Sequence, residues 1–308
     1  YGFEVVQAYM GHVQDNAAEA VARLIDRLSD CTAEYPTDTG QCIRVAIRVD
    51  RARREAVVDF TGTSAAAANN FNAPEPVVRA AVLYCFRVMV EAPIPMNAGC
   101  LRPIRLIIPE GSMLNPRYPS AVVAGNVETS QHVTNALLAA LGAMAHAQGS
   151  MNNLTLGNAR HQYYETICSG SPAGRTNAGQ GFAGTDGVHT HMTNSRMTDP
   201  EVLELRLPVM LEEFALRPGS GGAGRWRGGD GCTRSLRVLE PMECAILSSH
   251  RAHRPQGLAG GGPGEPGRTL IRRRNGQIEE LAACDHRQLE AGDVVTVITP
   301  TPGGYGRQ

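Results

Sequence analysis

An α+β fold is predicted for this chain, with a mixed α/β N-terminal part followed by an antiparallel β-rich C-terminal part that could close into a barrel. Two observations predict it. Apolar residues in the first half recur mostly at helical spacing, whereas segments beyond Asp199 are short, alternate in polarity and end at turns rich in glycine and proline. The change of pattern near Pro200 predicts a boundary between residues 1–199 and residues 200–308.

The N-terminal elements follow from their periodicity. Residues 3–30 and 74–90 carry apolar side chains every three or four positions, which predicts two amphipathic helices. Strands are predicted where polarity alternates or apolar residues cluster, at 44–49, 55–60, 103–108 and 121–124, the first two as a hairpin. A turn at Gly125 and Asn126 should lead into a helix capped by Thr129 or Ser130.

The C-terminal elements are predicted to be short strands. Each combines alternating polarity with a flanking glycine or proline turn. They are expected at residues 204–208, 213–216, 233–239, 243–248, 269–274, 277–281 and 294–298. Residues 152–187, between the two halves, are rich in glycine and asparagine and show few periodic positions.

Composition excludes several classes of function. The net charge of −1 gives no general attraction to nucleic acid or to an anionic membrane. No lysine occurs, which excludes Schiff-base chemistry and a P-loop within this chain. The 8 cysteines form no Cys-x-x-Cys pair, and no signal peptide or membrane span is visible, so we expect a cytoplasmic protein with reduced thiols.

The densest cluster of reactive side chains lies in Gly187–Arg196 (GVHTHMTNSR). On an extended strand, His189 and His191 would point to the same face, joined by Thr193 and Asn194. The pair could bind a metal, act as a general base or lie in the core. A metal site needs a third ligand, for which Glu165 and Asp186 are the nearest candidates in the sequence.

A second candidate site lies in Gly125–Gln131 (GNVETSQ). At a helix N-terminus, free amides would attract an anion, and Glu128 would then be protonated, bind a metal or act as a base. The alternative is an ordinary capped helix. Asn152 and Asn153 could together hold a carbonyl or an oxyanion, although loop amides more often satisfy backbone groups.

Several motifs, in order along the chain, resemble the hydantoinase B/oxoprolinase family. They are Asp59–Thr63 (DFTGT), Pro95–Pro103 (PMNAGCLRP), Gly125–Gln131, Met151–Thr155 (MNNLT), Tyr163–Thr166 (YYET), His189–Arg196 and Gly228–Gly231 (GGDG). The opening Val6–Gln14 (VQAYMGHVQ) is similar to the ATP-dependent 5-oxoprolinase branch in particular. The resemblance covers essentially the whole chain and corresponds to the C-terminal part of a B-type subunit.

The resemblance implies an ATP-dependent amidohydrolase that opens a cyclic amide, such as 5-oxo-L-proline to L-glutamate or a hydantoin-like lactam. ATP with Mg would be bound by a hydantoinase A-type region or subunit, in a hetero-oligomer that also supplies the missing N-terminal half of the B-type subunit. That half could carry a divalent metal. No membrane and no nucleic acid are expected as partners.

Roles are expected for the following side chains. His189 or His191 would act as base or proton shuttle, supported by Glu128. Substrate binding is assigned to Asn126, Ser130, Asn152, Asn153, Tyr164, Glu165, Asn194 and Arg196, with Arg196 balancing anionic charge. Two alternatives stay open: a subunit of an ATP-dependent ketone carboxylase of the same family, and a non-catalytic scaffold.

Overall fold

The computed structural model describes residues 1–308, and the chain divides into two compact units. The first unit comprises residues 1–35, 41–143 and 176–179, and the second comprises residues 36–40, 144–175 and 180–308. Helices and antiparallel sheets occur side by side, which confirms the α+β fold class. The boundary predicted near Pro200 falls inside the second unit.

The first unit packs helices against one four-stranded sheet. Its helices are α1 (Phe3–Ile25), α2 (Glu75–Met89) and α3 (Ser130–Ala140), with a 3-10 turn at Ala98–Leu101 and a π-helical turn at Gly125–Thr129. Its strands are β1 (Cys31–Pro36), β2 (Cys42–Asp50), β3 (Glu55–Asp59) and β4 (Ile104–Ile107), in that spatial order. The β2–β3 hairpin is antiparallel, as predicted, and β4 runs parallel to β3.

Alternation along β2 explains how this sheet meets the helices. Ile43, Val45 and Ile47 are at most 3% exposed, whereas the side chains between them are more accessible. One apolar face of a strand thereby packs beneath α3, and α2 packs against α3 in turn. Phe86 of α2 and Leu137 of α3 are completely buried in this core.

The second unit is built from two antiparallel sheets and a short ladder. Its strands are β5 (Asn153–Gly157), β6 (Gln162–Glu165), β7 (Gly174–Arg175), β8 (Gly181–Phe182), β9 (Val209–Leu216), β10 (Cys232–Val238), β11 (Met242–Leu247), β12 (Arg268–Arg272), β13 (Ile278–Leu281), β14 (Cys284–Leu289) and β15 (Val294–Ile298). The sheets have the orders β13-β12-β15-β10-β9 and β14-β11-β5-β6. A single aliphatic core contains residues from both, among them Leu156, Leu236, Ile246 and Val295.

Two strand predictions are wrong. Residues 204–208 do not form a strand, because α4 (Pro200–Arg206) begins after Asp199, whose Oδ1 accepts the amides of Glu201 and Val202 at 3.0 and 3.4 Å. An aspartate N-cap followed by proline is a strong helix start, and it outweighs the alternation of polarity. Residues 121–124 lead directly into the π-helical turn, so the predicted strand and the cap at Thr129 or Ser130 are absent.

Regular structure also occurs where none was predicted. β5 and β6 lie within residues 152–187, and β14 lies at Cys284–Leu289. The helix that we predict to run to about His146 ends earlier, at Ala140. β5 forms because it pairs with β11, more than 80 residues away along the chain, as the register Leu156–Cys244 illustrates. None of the helices combines the length and the apolar character needed to cross a bilayer.

Matched substitutions on α2 test the packing of the first unit. Val82 is completely buried and Val88 is 47% exposed on the same helix. Val82→Ala should lower the free energy of unfolding by about 2–3 kcal/mol, because it removes two methyl groups and leaves a cavity. Val88→Ala should change it by less than about 0.5 kcal/mol. Urea unfolding followed by circular dichroism measures both, and equal effects would contradict this packing.

Candidate functional site

The side chains proposed from the sequence are divided between the two units. Asn126, Glu128 and Ser130 belong to the first unit. The second unit holds Asn152, Asn153, Tyr164, Glu165, His189, His191, Asn194 and Arg196. Each group is therefore described within its own unit.

The π-helical turn at Gly125–Thr129 is fixed by a close backbone contact. A Cβ atom at Gly125 would lie 2.6 Å from the carbonyl oxygen of Asn72 and 2.8 Å from the Cα of Ala73, so only glycine fits. The Asn72 side chain in turn donates to the carbonyl oxygens of Ala67 and Ala121 at 2.9 Å each. Single π-turns are frequent at functional sites, and this one aims the start of α3.

The residues that follow are polar and yet inaccessible. At most 2% exposed are Glu128, Thr129, Ser130, Gln131, His132, Thr134 and Asn135. Several of their groups satisfy backbone carbonyls: the hydroxyl of Thr129 donates to Phe71 at 2.6 Å and that of Ser130 to Asn126 at 2.5 Å. The hydroxyl of Ser130 therefore braces the helix, whereas Asn126 is exposed.

The helix N-terminus lies earlier than the sequence suggested. Helical residues begin at Val123, and the amide of Ser130 already donates to the carbonyl oxygen of Gly125. Amides inside a helix are committed to intrahelical bonds, and only those of the first turn are free for an anion. The anion site expected at Gly125–Gln131 therefore cannot use the later amides of that segment.

His132 is a functional candidate that sequence reasoning missed. Its ring is 1% exposed and stacks on Tyr35, with ring centroids 5.2 Å apart, and on Phe71, with centroids 6.2 Å apart. It lies four residues after Glu128, the spacing that places side chains next to each other along a helix. That spacing is visible in the sequence. A fully buried carboxylate must be paired or protonated. Glu128 and His132 are therefore two buried acid–base candidates close together in the sequence.

Asn152 has both ends of its amide engaged. The side-chain nitrogen donates to Gln148 Oε1 at 2.7 Å and to the Ile167 carbonyl at 3.2 Å, while its oxygen accepts from Arg251 Nη2 at 3.1 Å. The residue is completely buried, with φ of 46°. This amide holds the turn before β5 in place.

Asn153, the first residue of β5, forms a hydrogen-bonded pair with Tyr164 of the neighbouring strand β6. The Tyr164 hydroxyl donates to Asn153 Oδ1 at 2.6 Å, and Asn153 Nδ2 donates to the Leu247 carbonyl at 2.8 Å. Asn153 is 3% exposed, whereas Tyr164 is 52% exposed. The pair therefore links β5, β6 and β11 and presents a tyrosine ring to solvent.

A second polar cluster around Arg251 was not anticipated. Asp38 accepts the backbone amides of Arg251 at 2.6 Å and His253 at 2.9 Å, which ties residues 36–40 to this turn. His146 and His250 are both buried in the second unit, and their rings are close enough to interact electrostatically. Burial, with a smaller contribution from His250, lowers the pKa of His146 to about 3, so this imidazole is neutral at pH 7.

Glu165 forms a buried ion pair. Arg234 Nε donates to Glu165 Oε1 at 2.8 Å, with 1% and 4% of the two side chains exposed. The Tyr163 hydroxyl donates to the other carboxylate oxygen at 2.8 Å, and the guanidinium lies 5.4 Å from the centre of the Phe214 ring. Arg234 Nη2 has no hydrogen-bond partner within the chain. Glu165 is thereby fully occupied by protein groups.

Two thiols lie beside this ion pair. The Sγ atoms of Cys168 and Cys232 are 3.8 Å apart, and both residues are buried. The hydrogen bond from Cys232 lowers the pKa of Cys168, with a smaller contribution from the Arg234 charge, whereas the same contact raises the pKa of Cys232. Cys168 is therefore the thiol of this pair that deprotonates more readily.

The two histidines do not share a strand. His191 has φ of 60° and lies in a turn, so the alternation of an extended strand does not apply to His189 and His191. Burial lowers the pKa of both, that of His191 to about 4, so both rings are neutral at pH 7. Both ring nitrogens of His189 are shielded from solvent and have no partner within the chain.

The segment around His189 is positioned by backbone contacts. The Val188 amide donates to the Ser169 carbonyl at 2.6 Å, and the Gly187 amide donates to the Asp230 carbonyl at 3.2 Å. Asn194 and Arg196 lie further along the same segment and are exposed. His189 therefore follows directly on a part of the segment that backbone hydrogen bonds hold in place, whereas Asn194 and Arg196 face solvent.

The donor set does not fit a metal ion held by this chain. No three His, Cys, Asp or Glu side chains converge in a metal-binding arrangement. Glu165 pairs with Arg234, and Asp186 Oδ1 accepts the Asp230 amide at 2.6 Å. Neither carboxylate is brought together with His189 and His191 as the third ligand considered from the sequence.

Removing one partner of the buried ion pair should destabilise the second unit. Glu165→Gln should cost about 3–5 kcal/mol, because it leaves the Arg234 charge uncompensated in the core. The double substitution Glu165→Gln and Arg234→Met should recover part of that loss. Glu280→Gln, at the exposed pair with Arg268, is the matched control and should cost less than about 1 kcal/mol. Chemical denaturation measures all three, and a single-site loss no larger than the control's would refute the buried pairing.

Stability should depend on pH through His146. Its folded pKa is depressed, so between about pH 6.5 and 3 only the unfolded chain binds the proton, and stability falls as pH falls through that window. The slope approaches about 1.4 kcal/mol per pH unit for one such group. His146→Gln should reduce the loss between pH 7.5 and 5 by about 1–2 kcal/mol, whereas His286→Gln at an exposed site should not. Urea midpoints at the two pH values decide, and identical pH dependence in all three proteins would contradict a neutral buried His146.

Comparison with known proteins gives concordant results. The model of the hydantoinase B/oxoprolinase family matches residues 1–308. 5-Oxoprolinase 1 of Arabidopsis thaliana is 43% identical, over 99% of this chain and 25% of that protein. The chain therefore spans about a quarter of the length of the curated 5-oxoprolinases it matches.

Solved structures show the same fold at low sequence identity. ATP-dependent caprolactamase from Pseudomonas jessenii superposes with a TM-score of 0.84 at 21% identity, covering 100% of this chain and 57% of that one. Nucleotide-free acetone carboxylase gives a TM-score of 0.77 at 16% identity, covering 95% of this chain and 48% of that one. Since the family model accounts for the chain from its first residue to its last, the protein belongs to the hydantoinase B/oxoprolinase family.

Proposed function

We propose that this chain is part of an ATP-dependent amidohydrolase that opens a cyclic amide, with conversion of 5-oxo-L-proline to L-glutamate as the reaction. The support is family membership together with 43% identity to a 5-oxoprolinase along 99% of the chain. A second support is the fold shared with a caprolactamase, whose name also denotes a cyclic amide as substrate. The chain contributes to the hydrolytic step, and ATP with Mg is bound by a hydantoinase A-type region or subunit.

The chemistry explains why two regions are needed. An unactivated lactam is a poor electrophile, and transfer of a phosphoryl group from ATP to the amide oxygen makes the carbonyl carbon open to attack by water. The C–N bond of the ring then breaks as the nitrogen takes up a proton, and the acyl phosphate that forms is hydrolysed to carboxylate and phosphate. The present chain then has to position water, accept its proton and exclude bulk solvent. It has no lysine and no phosphate-binding loop of the P-loop type, in keeping with this division of labour.

His189 is the proposed base, and one observation carries that assignment. Both of its ring nitrogens are shielded from solvent and lack any partner within the chain, although a buried polar atom without a partner is costly. A substrate or water molecule at that position would satisfy them. The lowered pKa keeps the imidazole neutral and able to accept a proton at pH 7.

The other side chains bind substrate, position their neighbours or transfer protons in this proposal. In the second unit, Arg196 and Asn194 are exposed and can meet the carboxylate and amide of a small substrate. In the first unit, Asn126 is exposed and keeps its proposed role in substrate binding. Asn152, Asn153, Tyr164 and Glu165 are engaged within the second unit and act as positioning residues. Glu128 and His132 serve as a buried acid and base in the first unit. His191 serves as a second proton carrier, and the hydroxyl of Ser130 stabilises the start of α3.

Two wider assignments belong to the same proposal. The working protein is a cytoplasmic hetero-oligomer that includes the A-type region and the remainder of the B-type polypeptide. The fold shared with acetone carboxylase keeps ketone carboxylation as the second candidate. ATP turnover that requires bicarbonate and a ketone, with none dependent on a lactam, would select carboxylation instead.

Substitution of His189 tests the proposed base. In the complete assembly, His189→Ala should lower ATP-coupled hydrolysis of 5-oxo-L-proline by about 10²–10⁴-fold, the usual contribution of a general base. His286→Ala, at an exposed strand position, is the control and should stay within twofold of wild type. Glutamate release, measured with ADP release, provides the readout. Turnover of the His189→Ala enzyme within a few-fold of wild type would remove this residue from the mechanism.

A further inference from the structure

The N-terminal half of α1 presents an apolar surface that nothing in the first unit covers. Phe3, Val6, Met10 and Val13 are 80%, 48%, 61% and 42% exposed. Tyr9 adds a ring that is 66% exposed. These five residues are called the α1 stripe. Val6, Tyr9, Met10 and Val13 border a groove of about 740 Å³, whose wall also includes Asn97.

The α1 stripe continues the buried face of the same helix. In the C-terminal half, Ala17, Val21 and Leu24 are at most 4% exposed and pack into the first unit. Spacings of three and four residues connect Phe3, Val6, Met10 and Val13 to that buried series, so all lie on one side of the helix. One apolar face therefore runs the length of α1, and only half of it is covered.

The opposite side of the helix is charged in its C-terminal half. Asp15 pairs with Arg102, and Glu19 pairs with Arg54 at 3.1 Å. His12 and Asn16 are exposed on that side. The α1 stripe itself carries no charged side chain, so its complement is an apolar surface rather than an acidic or basic one.

Physical considerations require an occupant for this surface. A helical segment of this length is only marginally stable in water without tertiary contacts, and apolar patches of this size mark interaction sites. The matched region covers 57% of the caprolactamase chain and 25% of the Arabidopsis 5-oxoprolinase. Those polypeptides therefore carry a large further region besides the one that corresponds to this chain.

We propose that the α1 stripe is the docking surface for the rest of the B-type polypeptide, which contributes an apolar face to it. A region of the same polypeptide is favoured over a second copy of this chain, because linkage gives a high effective concentration without a large interface of its own. The inference rests on the family assignment and refines the partner named in the proposed function. It does not depend on which reaction the assembly performs.

Co-expression tests the surface directly. This chain is produced together with a tagged version of the remaining B-type region, and recovery on the tag is measured. Val6→Asp with Met10→Asp should lower recovery at least tenfold, because two carboxylates would be buried in an apolar contact. Ala8→Asp with Asn16→Asp adds the same charge at exposed positions of the same helix outside the α1 stripe and should leave recovery within twofold of wild type.

Further measurements separate this result from misfolding and from a failed activity. Hydrogen exchange of residues 17–25 should be the same in all variants, whereas residues 3–13 of the wild-type chain should gain protection only when the remaining region is bound. Undiminished recovery of the stripe variant would overturn the proposal. So would a dimer of this chain alone in which residues 3–13 are protected. If the wild-type chain is recovered with the remaining B-type region but the complete assembly does not hydrolyse a lactam, the proposed function is wrong and this docking surface is still supported.

Discussion

The ion pair between Glu165 and Arg234 is the interaction on which the second unit depends. Glu165 ends β6 in one sheet and Arg234 lies in β10 of the other, and their 2.8 Å contact crosses a core that is otherwise aliphatic. Two buried charges are tolerated only when each is compensated, so the pair restricts how the two sheets can align. The hydroxyl of Tyr163 and the ring of Phe214 complete its surroundings.

Close backbone contacts fix the chain that leads to His189. A Cβ atom at Gly170 would lie 2.2 Å from the carbonyl carbon of Gly229, and one at Gly184 would lie 2.0 Å from the Ser171 oxygen. These contacts pack the chain before His189 against the glycine-rich segment that leads into β10. The His189 segment is thereby held by main-chain geometry, and a shielded imidazole without a protein partner is maintained there at a cost in stability.

The first unit also holds buried polar side chains, at the start of α3. The π-helical turn at Gly125–Thr129 brings Glu128 and His132 into a wholly buried position beside aromatic rings. Polar groups in such a place are expensive unless they are satisfied, and they are retained where chemistry or specificity needs them.

Local patterns in the sequence determined a large part of the fold and little of the site. The helices α1 and α2 and the β2–β3 hairpin were predicted because periodicity and turn residues act within a few positions of each other. Asp199 and Pro200 encode the start of α4 locally, although the alternating polarity of residues 204–208 favours a strand. Family motifs likewise identified the chain. Only the tertiary structure paired Glu165 with Arg234, placed β5 beside β11, turned His191 out of an extended strand and shielded His189. Each of these depends on contacts between residues tens of positions apart, whose energies no local pattern in the chain encodes.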